Sequence, residues 1–263
     1  MNWLEALILG IIQGLTEFLP VSSSGHLEIG KYLMDINAEK SLLFTVVVHG
    51  ATVMSTIVVF WKDLIVIFKG FFQFKWNEET KFVVKIFLSM IPVLVVGIFF
   101  KDSVESFFDG NMVFVGSMLL VTAGLLSFTS FSKSNKRNVN YVDAIVIGIA
   151  QALAVLPGIS RSGATISAGI LLGNKKESVT RFSFLMVLIP IIGANFVDIL
   201  GSDMTNNESV GIIPLIVGFL AAFIAGWAAC TWMISIVKRG KLIYFAIYCF
   251  ILGGLAISAG LFF

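Results

Sequence analysis

The sequence predicts an all-α polytopic membrane protein, an inverted repeat whose two units are each a re-entrant helical hairpin plus three transmembrane helices. Three observations predict it. First, 57% of the 263 residues are hydrophobic and only 13% charged, with a mean hydropathy of +0.96, far from an average soluble domain. Several runs reach the roughly 20 apolar residues that cross a bilayer. Second, a polar stretch inside apolar sequence, Gln13-Gly-Leu-Thr-Glu17-Phe-Leu-Pro20-Val-Ser22-Ser23-Ser24-Gly25-His26, returns as Gln151-Ala-Leu-Ala-Val-Leu-Pro157-Gly-Ile-Ser160-Arg161-Ser162-Gly163. Third, basic loops alternate with acidic ones along the chain.

Taken in order, residues 3–19 are apolar but short for a span, and Glu5, Gln13 and Glu17 interrupt them. Pro20 disfavours helix at the residue before it, and Ser22–Gly25 offers caps and a turn. Residues 26–34 add only a further turn or two, so 3–34 reads as a re-entrant hairpin, tolerated at membrane depth where protein or water covers it. Residues 42–61 form the first full span. The stretch 62–81 mixes Lys62, Lys69, Lys75 and Lys81 with Phe68, Phe71, Phe72, Phe74 and Trp76, an interfacial pattern. Spans follow at 82–100 and 112–131, separated by an acidic turn, Lys101–Gly110.

A polar linker, 132–140, leads to the second hairpin, and further spans are expected at 181–200, 211–237 and 243–262. The whole is one membrane domain, 1–263, with repeat one at 1–131 and repeat two at 141–263. In both hairpins Gly10/Gly14 and Gly148/Ala152 give small faces for close helix contact. Three spans per unit is an odd number, so the second unit is inverted. Loops 62–81, 132–140, 174–181 and 238–241 are basic, whereas 101–110 and 201–209 are acidic. With the basic loops cytoplasmic, both termini fall outside. The first apolar run has no Lys or Arg ahead of it, so it does not read as a cleavable signal peptide. The net charge of +2 carries little weight, and no nucleic-acid partner is expected. Cys230 and Cys249 lie in apolar helices and read as free thiols, and no Cys/His spacing suggests a structural metal.

An inverted repeat brings two broken helices face to face near the membrane midplane. Hairpin one contributes Gln13, Glu17, Ser22, Ser23, Ser24 and His26; hairpin two contributes Ser160, Arg161, Ser162 and Thr165. Ionisable groups in lipid are expensive and mark function by default. Hydroxyls at helix N-termini with a guanidinium suit a phosphate group. A serine beside a carboxylate and an imidazole supplies a nucleophile and candidate bases. His49, within a span, is assigned to packing or a local hydrogen bond and left outside the site.

These two motifs resemble those of the undecaprenyl-pyrophosphate phosphatase family, the bacitracin-resistance type of membrane phosphatase. Its Glu/Gln-x-x-x-Glu and Pro-x-Ser-Ser-x-Gly-His elements stand here as Gln13–Glu17 and Pro20–His26, and its Pro-Gly-x-Ser-Arg-Ser-x-x-Thr as Pro157–Thr165. Some members carry Glu where this chain has Gln13, so a carboxylate there is not essential to the chemistry. The resemblance implies hydrolysis of undecaprenyl diphosphate to undecaprenyl phosphate in the bacterial inner membrane, recycling the carrier of cell-wall precursors.

The expected mechanism has Ser23 attacking the terminal phosphorus and Glu17 as base or orienting group. His26 protonates the leaving group or activates water, and His26 as the phosphorylated nucleophile is the rival. Arg161, Ser160, Ser162 and Thr165 would bind phosphoryl oxygens, with Gln13, Ser22 and Ser24 as further phosphate-binding candidates. No cofactor is obligatory, and a divalent cation (Mg or Ca) would bridge the diphosphate and Glu17. The partners are a polyprenyl diphosphate lipid and membrane lipids, with a homodimer as the candidate assembly. The pocket is expected to open outward, because hairpin one carries the denser polar groups. A lipid-phosphate flippase is the alternative that the same repeat architecture permits.

Overall fold

The computed structural model describes residues 1–34, 36, 42–100, 103–104, 106–107, 110–132, 137–201 and 210–262. The charges Lys101, Asp102, Glu105, Asp109, Lys133, Lys136, Asp203 and Glu208, on which part of the loop argument rests, lie outside the described residues. Among the described residues no strand forms, and one isolated bridge pairs Arg137 with Asn174.

Two short helices open the chain, α1 (Trp3–Phe18) and α2 (Ser23–Leu33). Asn2 starts α1 with a capping box: its side chain accepts from the Leu4 and Glu5 amides, and the Glu5 carboxylate accepts from the Asn2 amide. The helix ends one residue before Leu19, where Pro20 makes helical backbone unfavourable. Helix α2 begins at Ser23 rather than near His26, so the hydroxyls and the imidazole all belong to its first turn or its cap.

Next come α3 (Leu42–Val59), α4 (Trp61–Phe71), α5 (Glu78–Phe99) and α6 (Met112–Phe128), the last extended by a 3-10 turn at Thr129–Phe131. The second set is α7 (Tyr141–Leu153), α8 (Arg161–Leu171), α9 (Lys176–Met186), α10 (Leu188–Gly201), α11 (Ile212–Lys238) and α12 (Ile243–Phe262). Among the described residues, five stretches are long and apolar enough to cross a membrane: Glu78–Phe99, Met112–Phe131, Lys176–Phe196, Ile212–Lys238 and Ile243–Phe262. They correspond to five of the six expected full spans. The sixth, expected at 42–61, qualifies only together with α4, and the pair bends by 76° at Phe60. The interfacial stretch is thus partly helical, and it exposes Phe68, Phe72, Phe74 and Trp76.

Glycine decides how closely the short helices pack. A Cβ on Gly10 or Gly14 of α1 would lie 2.5 Å from the Gly218 or Ala222 carbonyl of α11. A Cβ on Gly148 of α7 would collide with the Ser89 carbonyl of α5. Both small faces read from the sequence are therefore contact faces, where bare backbone allows approach that a side chain forbids. The main apolar core gathers where the bends meet. Phe184 of α9 packs edge-on against Phe18 at the end of α1, 5.9 Å between centroids, and against Phe60 at the α3–α4 bend, at 6.0 Å. This aromatic cluster holds three helix ends in fixed relation beneath the polar motif. Large side chains on the outer faces, such as Ile216, Ile224, Phe250 and Leu255, stay exposed to the surroundings, as bilayer-facing groups do.

Candidate active site

The two motifs fold into matched turns. Ser22 caps α2, its hydroxyl accepting from the Gly25 amide at 3.2 Å, and Ser160 caps α8 by accepting from the Gly163 amide at 3.0 Å. Each cap hydroxyl also meets a serine two residues on, Ser24 at 3.3 Å and Ser162 at 3.2 Å. The tips touch: a Cβ on Gly25 would lie 3.2 Å from Gly158 Cα, and one on Gly163 would lie 3.3 Å from Pro20 Cβ. Ser162 Oγ donates to the Leu19 carbonyl at 3.3 Å across this seam. Gly158 has φ +98, a conformation open to glycine, and its carbonyl accepts from Thr122 Oγ1 at 3.0 Å. Ser22 adopts φ +71 without being glycine, a strained backbone fixed by the cap bonds around it.

Glu17 sits at the centre, with its side chain 7% exposed. Oε2 accepts from Ser23 Oγ at 2.6 Å and from Gln13 Nε2 at 3.0 Å. Oε1 accepts from Arg161 Nη2 of the other hairpin at 3.3 Å. Ser23, the candidate nucleophile, thus touches Glu17, its candidate base, and Arg161 reaches the same carboxylate from the other hairpin. Gln13, fully buried, is turned toward Glu17 and holds its carboxylate. Thr165 Oγ1 donates to the Arg161 carbonyl at 2.8 Å and steadies the first turn of α8.

His26 points elsewhere. Its Nδ1 donates to the Ser22 carbonyl at 2.7 Å, and its Nε2 meets the Tyr248 hydroxyl at 2.8 Å. The two rings also stack, with centroids 5.6 Å apart. A neutral imidazole donating from Nδ1 keeps its lone pair on Nε2, so the Tyr248 hydroxyl is the donor to it.

Among the described residues no group of three or more His, Cys, Asp or Glu could hold a metal ion. Glu17 is a single carboxylate whose oxygens already serve Arg161, Ser23 and Gln13. A divalent cation would need the diphosphate for most of its ligands, so the residues alone do not make a metal site.

A family model described as Bacitracin resistance protein BacA matches residues 6–255. The chain belongs to that family. It is 57% identical over 258 residues to the undecaprenyl-diphosphatase of Bacteroides fragilis strain ATCC 25285, covering 96% of each chain. Identity is 56% over 266 residues with the undecaprenyl-diphosphatase of Parabacteroides distasonis, 99% of both chains, and 38% over 268 residues with that of Halothermothrix orenii, the full length of both.

In this BacA-family chain several residues that the sequence reading left out surround Glu17. His49 is one: its Nε2 lies 4.0 Å from Glu17 Oε2, while its Nδ1 donates to the Thr45 carbonyl at 2.8 Å. The Thr45 bond is the local hydrogen bond expected of it, and the approach to Glu17 is an addition. Glu17 and Arg161 line a cavity together with Thr52, Thr56, Gln151 and Ser183. A signal for the α3 side was present: His49, Thr52 and Thr56 stand at i, i+3 and i+7, a polar stripe on one face of an apolar helix. Tyr248 carried no comparable signal, since it meets His26 from 222 residues away in the chain.

Proposed function

We infer that this chain hydrolyses undecaprenyl diphosphate to undecaprenyl phosphate and inorganic phosphate, as the names of its relatives describe for them. The observation that carries the reading at the level of chemistry is the 2.6 Å bond from Ser23 Oγ to Glu17, with Arg161 on the other carboxylate oxygen. A hydroxyl donating to a buried carboxylate is a nucleophile with its base in place. The guanidinium beside it is the charge that the β-phosphate needs. The relatives lend no support to the flippase alternative.

Ser23 Oγ attacks the terminal phosphorus and its proton passes to Glu17. The bond from that phosphorus to the bridging oxygen breaks, and the lipid monophosphate leaves. Water then opens the phosphoserine, giving inorganic phosphate and restoring the hydroxyl. Arg161, Ser160, Ser162, Thr165 and the N-termini of α2 and α8 stabilise the phosphoryl oxygens, with Ser22 and Ser24 alongside. Gln13 orients Glu17. His26 protonates the leaving phosphate only once its Nε2 has exchanged the Tyr248 hydroxyl for a proton and the ring has swung toward the substrate. Where the substrate brings a divalent cation, Glu17 would be its protein carboxylate and the metal would supply charge to the phosphoryl oxygens.

The inverted repeat is supported by how the helices pair: α1 packs on α11 as α7 packs on α5, while α6 and α12 pack on each other. In this arrangement α1–α2 and α7–α8 are re-entrant hairpins, the termini lie outside and the pocket opens outward. The basic residues at 62–81, 174–181 and 238–241 support that orientation in the inner membrane. The protein acts as one membrane domain, 1–263, and assembles as a homodimer.

The test is phosphate release by the purified protein in detergent, where the absence of two compartments removes transport. Release that disappears in Ser23→Ala supports the reading. A pure, folded protein that releases no phosphate from any prenyl diphosphate overturns it.

A further inference from the structure

Gln151 holds the place in the second motif that Gln13 holds in the first. The Gln13 amide nitrogen is used by Glu17. Repeat two has Val155 where repeat one has Glu17, so Gln151 has no carboxylate to serve. Among the described residues neither end of the Gln151 amide has a hydrogen-bond partner, although the residue is only 1% exposed. Ser183 Oγ, on α9, is buried and unpartnered in the same way. Buried polar groups are nearly always paired, and two orphans in one place call for an occupant.

Both groups line the cavity that reaches Glu17 and Arg161. Its volume is about 20 Å³. On that measure a water molecule needs roughly 10–15 Å³ and two to four polar partners. The cavity therefore fits one water and is too small for a phosphate. Gln151 offers a donor and an acceptor, Ser183 offers either, and Glu17 is the carboxylate on the cavity wall.

We propose that Gln151 and Ser183 hold the water that the hydrolysis consumes, in the cavity that Glu17 lines. The proposal rests on the phosphatase reading above. The water oxygen bonds to phosphorus as the bond from phosphorus to Ser23 Oγ breaks. Glu17 first releases the Ser23 proton to solvent, then takes one water proton and passes it to the departing Ser23 oxygen, so atoms and charge balance. Gln151 is a positioning residue: it touches the attacking water and leaves the lipid to Arg161 and the hairpin tips.

The test is nucleophile partitioning. Purified protein in detergent is given farnesyl diphosphate in water containing methanol, and both inorganic phosphate and methyl phosphate are measured. The wild type makes almost only inorganic phosphate, because the cavity has no room for the extra methyl. Gln151→Ala enlarges the cavity, and the share of methyl phosphate rises by about tenfold, the discrimination that one methyl group commonly carries in a tight pocket. Gln151→Met keeps the volume but removes the amide, and kcat falls about tenfold or more with KM little changed. Ser183→Ala serves as the second variant should either fail to fold, and it shifts the product ratio in the same direction.

Wild-type kcat in folded Gln151→Met, or an unchanged product ratio in folded Gln151→Ala and Ser183→Ala, overturns the water site. A wild type that releases neither product overturns the phosphatase reading instead.

Discussion

Replacing Glu17 by glutamine removes a charge while barely changing the shape of the site. Two consequences of opposite sign follow from its contacts. The amide cannot take the proton that Ser23 Oγ now directs at Oε2 over 2.6 Å. Loss of a positioned general base costs roughly 10²–10⁴ in kcat. Meanwhile Arg161 loses its partner at 3.3 Å. At an effective dielectric of about 20, charges that far apart attract by about 5 kcal/mol before desolvation is counted. That attraction competes with the diphosphate for the guanidinium, so its removal frees Arg161 for the ligand. Glu17→Gln is expected to turn over far more slowly yet bind a non-hydrolysable methylene-bisphosphonate lipid analogue more tightly. Phosphate release and titration of the analogue, both in detergent, read the two effects separately. Turnover near wild type, or affinity falling together with kcat, would refute the reasoning.

Arg161→Lys keeps the charge and loses the planar fork, and kcat/KM should fall at least about tenfold, or roughly 1.4 kcal/mol of transition-state binding; unchanged kcat/KM in a folded variant removes Arg161 from the site. His49→Phe keeps a ring against α3 but takes Nε2 away from Glu17, so kcat should drop with the melting temperature nearly preserved. A variant of normal activity would return His49 to a packing role. Gly14→Leu forces a side chain onto the Ala222 carbonyl, where a Cβ alone would lie at 2.5 Å. Overpacking of that kind costs about 1–3 kcal/mol or more, which thermal unfolding in detergent can detect. A cysteine placed by Ser24→Cys, in a chain without Cys230 and Cys249, should react in intact cells with a membrane-impermeant reagent added outside. Labelling only from the cytoplasmic side would reverse the orientation.

Local chemistry was legible where it is written in contiguous residues. Gln13, Glu17 and Ser23 share one hairpin, and the proline break that separates the serine from the carboxylate in sequence is what folds them together. The Arg161 contact followed from the repetition of the motif. The long apolar runs located five spans to within about five residues at either end, since length and apolarity largely determine them. The bend at Phe60 has no proline or glycine to announce it in Val59-Phe60-Trp61, and Phe184, more than a hundred residues on, packs at the corner. His49 was missed by weighing it singly when its i, i+3, i+7 company of threonines was the evidence. His26 looked like a companion of Glu17 by nearness in sequence. Its ring turns away because Ser22 offers a carbonyl and Tyr248 a hydroxyl, and the second of these is visible only in the folded chain.

The seam where Gly25 meets Gly158 and Pro20 meets Gly163 joins parts of the chain made far apart in time. Synthesis delivers the carboxylate of Glu17 to the membrane well over a hundred residues before the guanidinium that neutralises it. At roughly 5–20 residues per second, the first half waits several seconds with an unpaired acid among apolar helices. Such a half is an unfavourable guest in lipid and has no Arg161 with which to hold a diphosphate. The nascent chain therefore lacks half of its site until the second hairpin docks. Two separately expressed halves, divided within the 132–140 linker, would each be poor alone and would assemble by mutual neutralisation. The ion pair thus works as a proof of completion, switched on by the arrival of the last-made half.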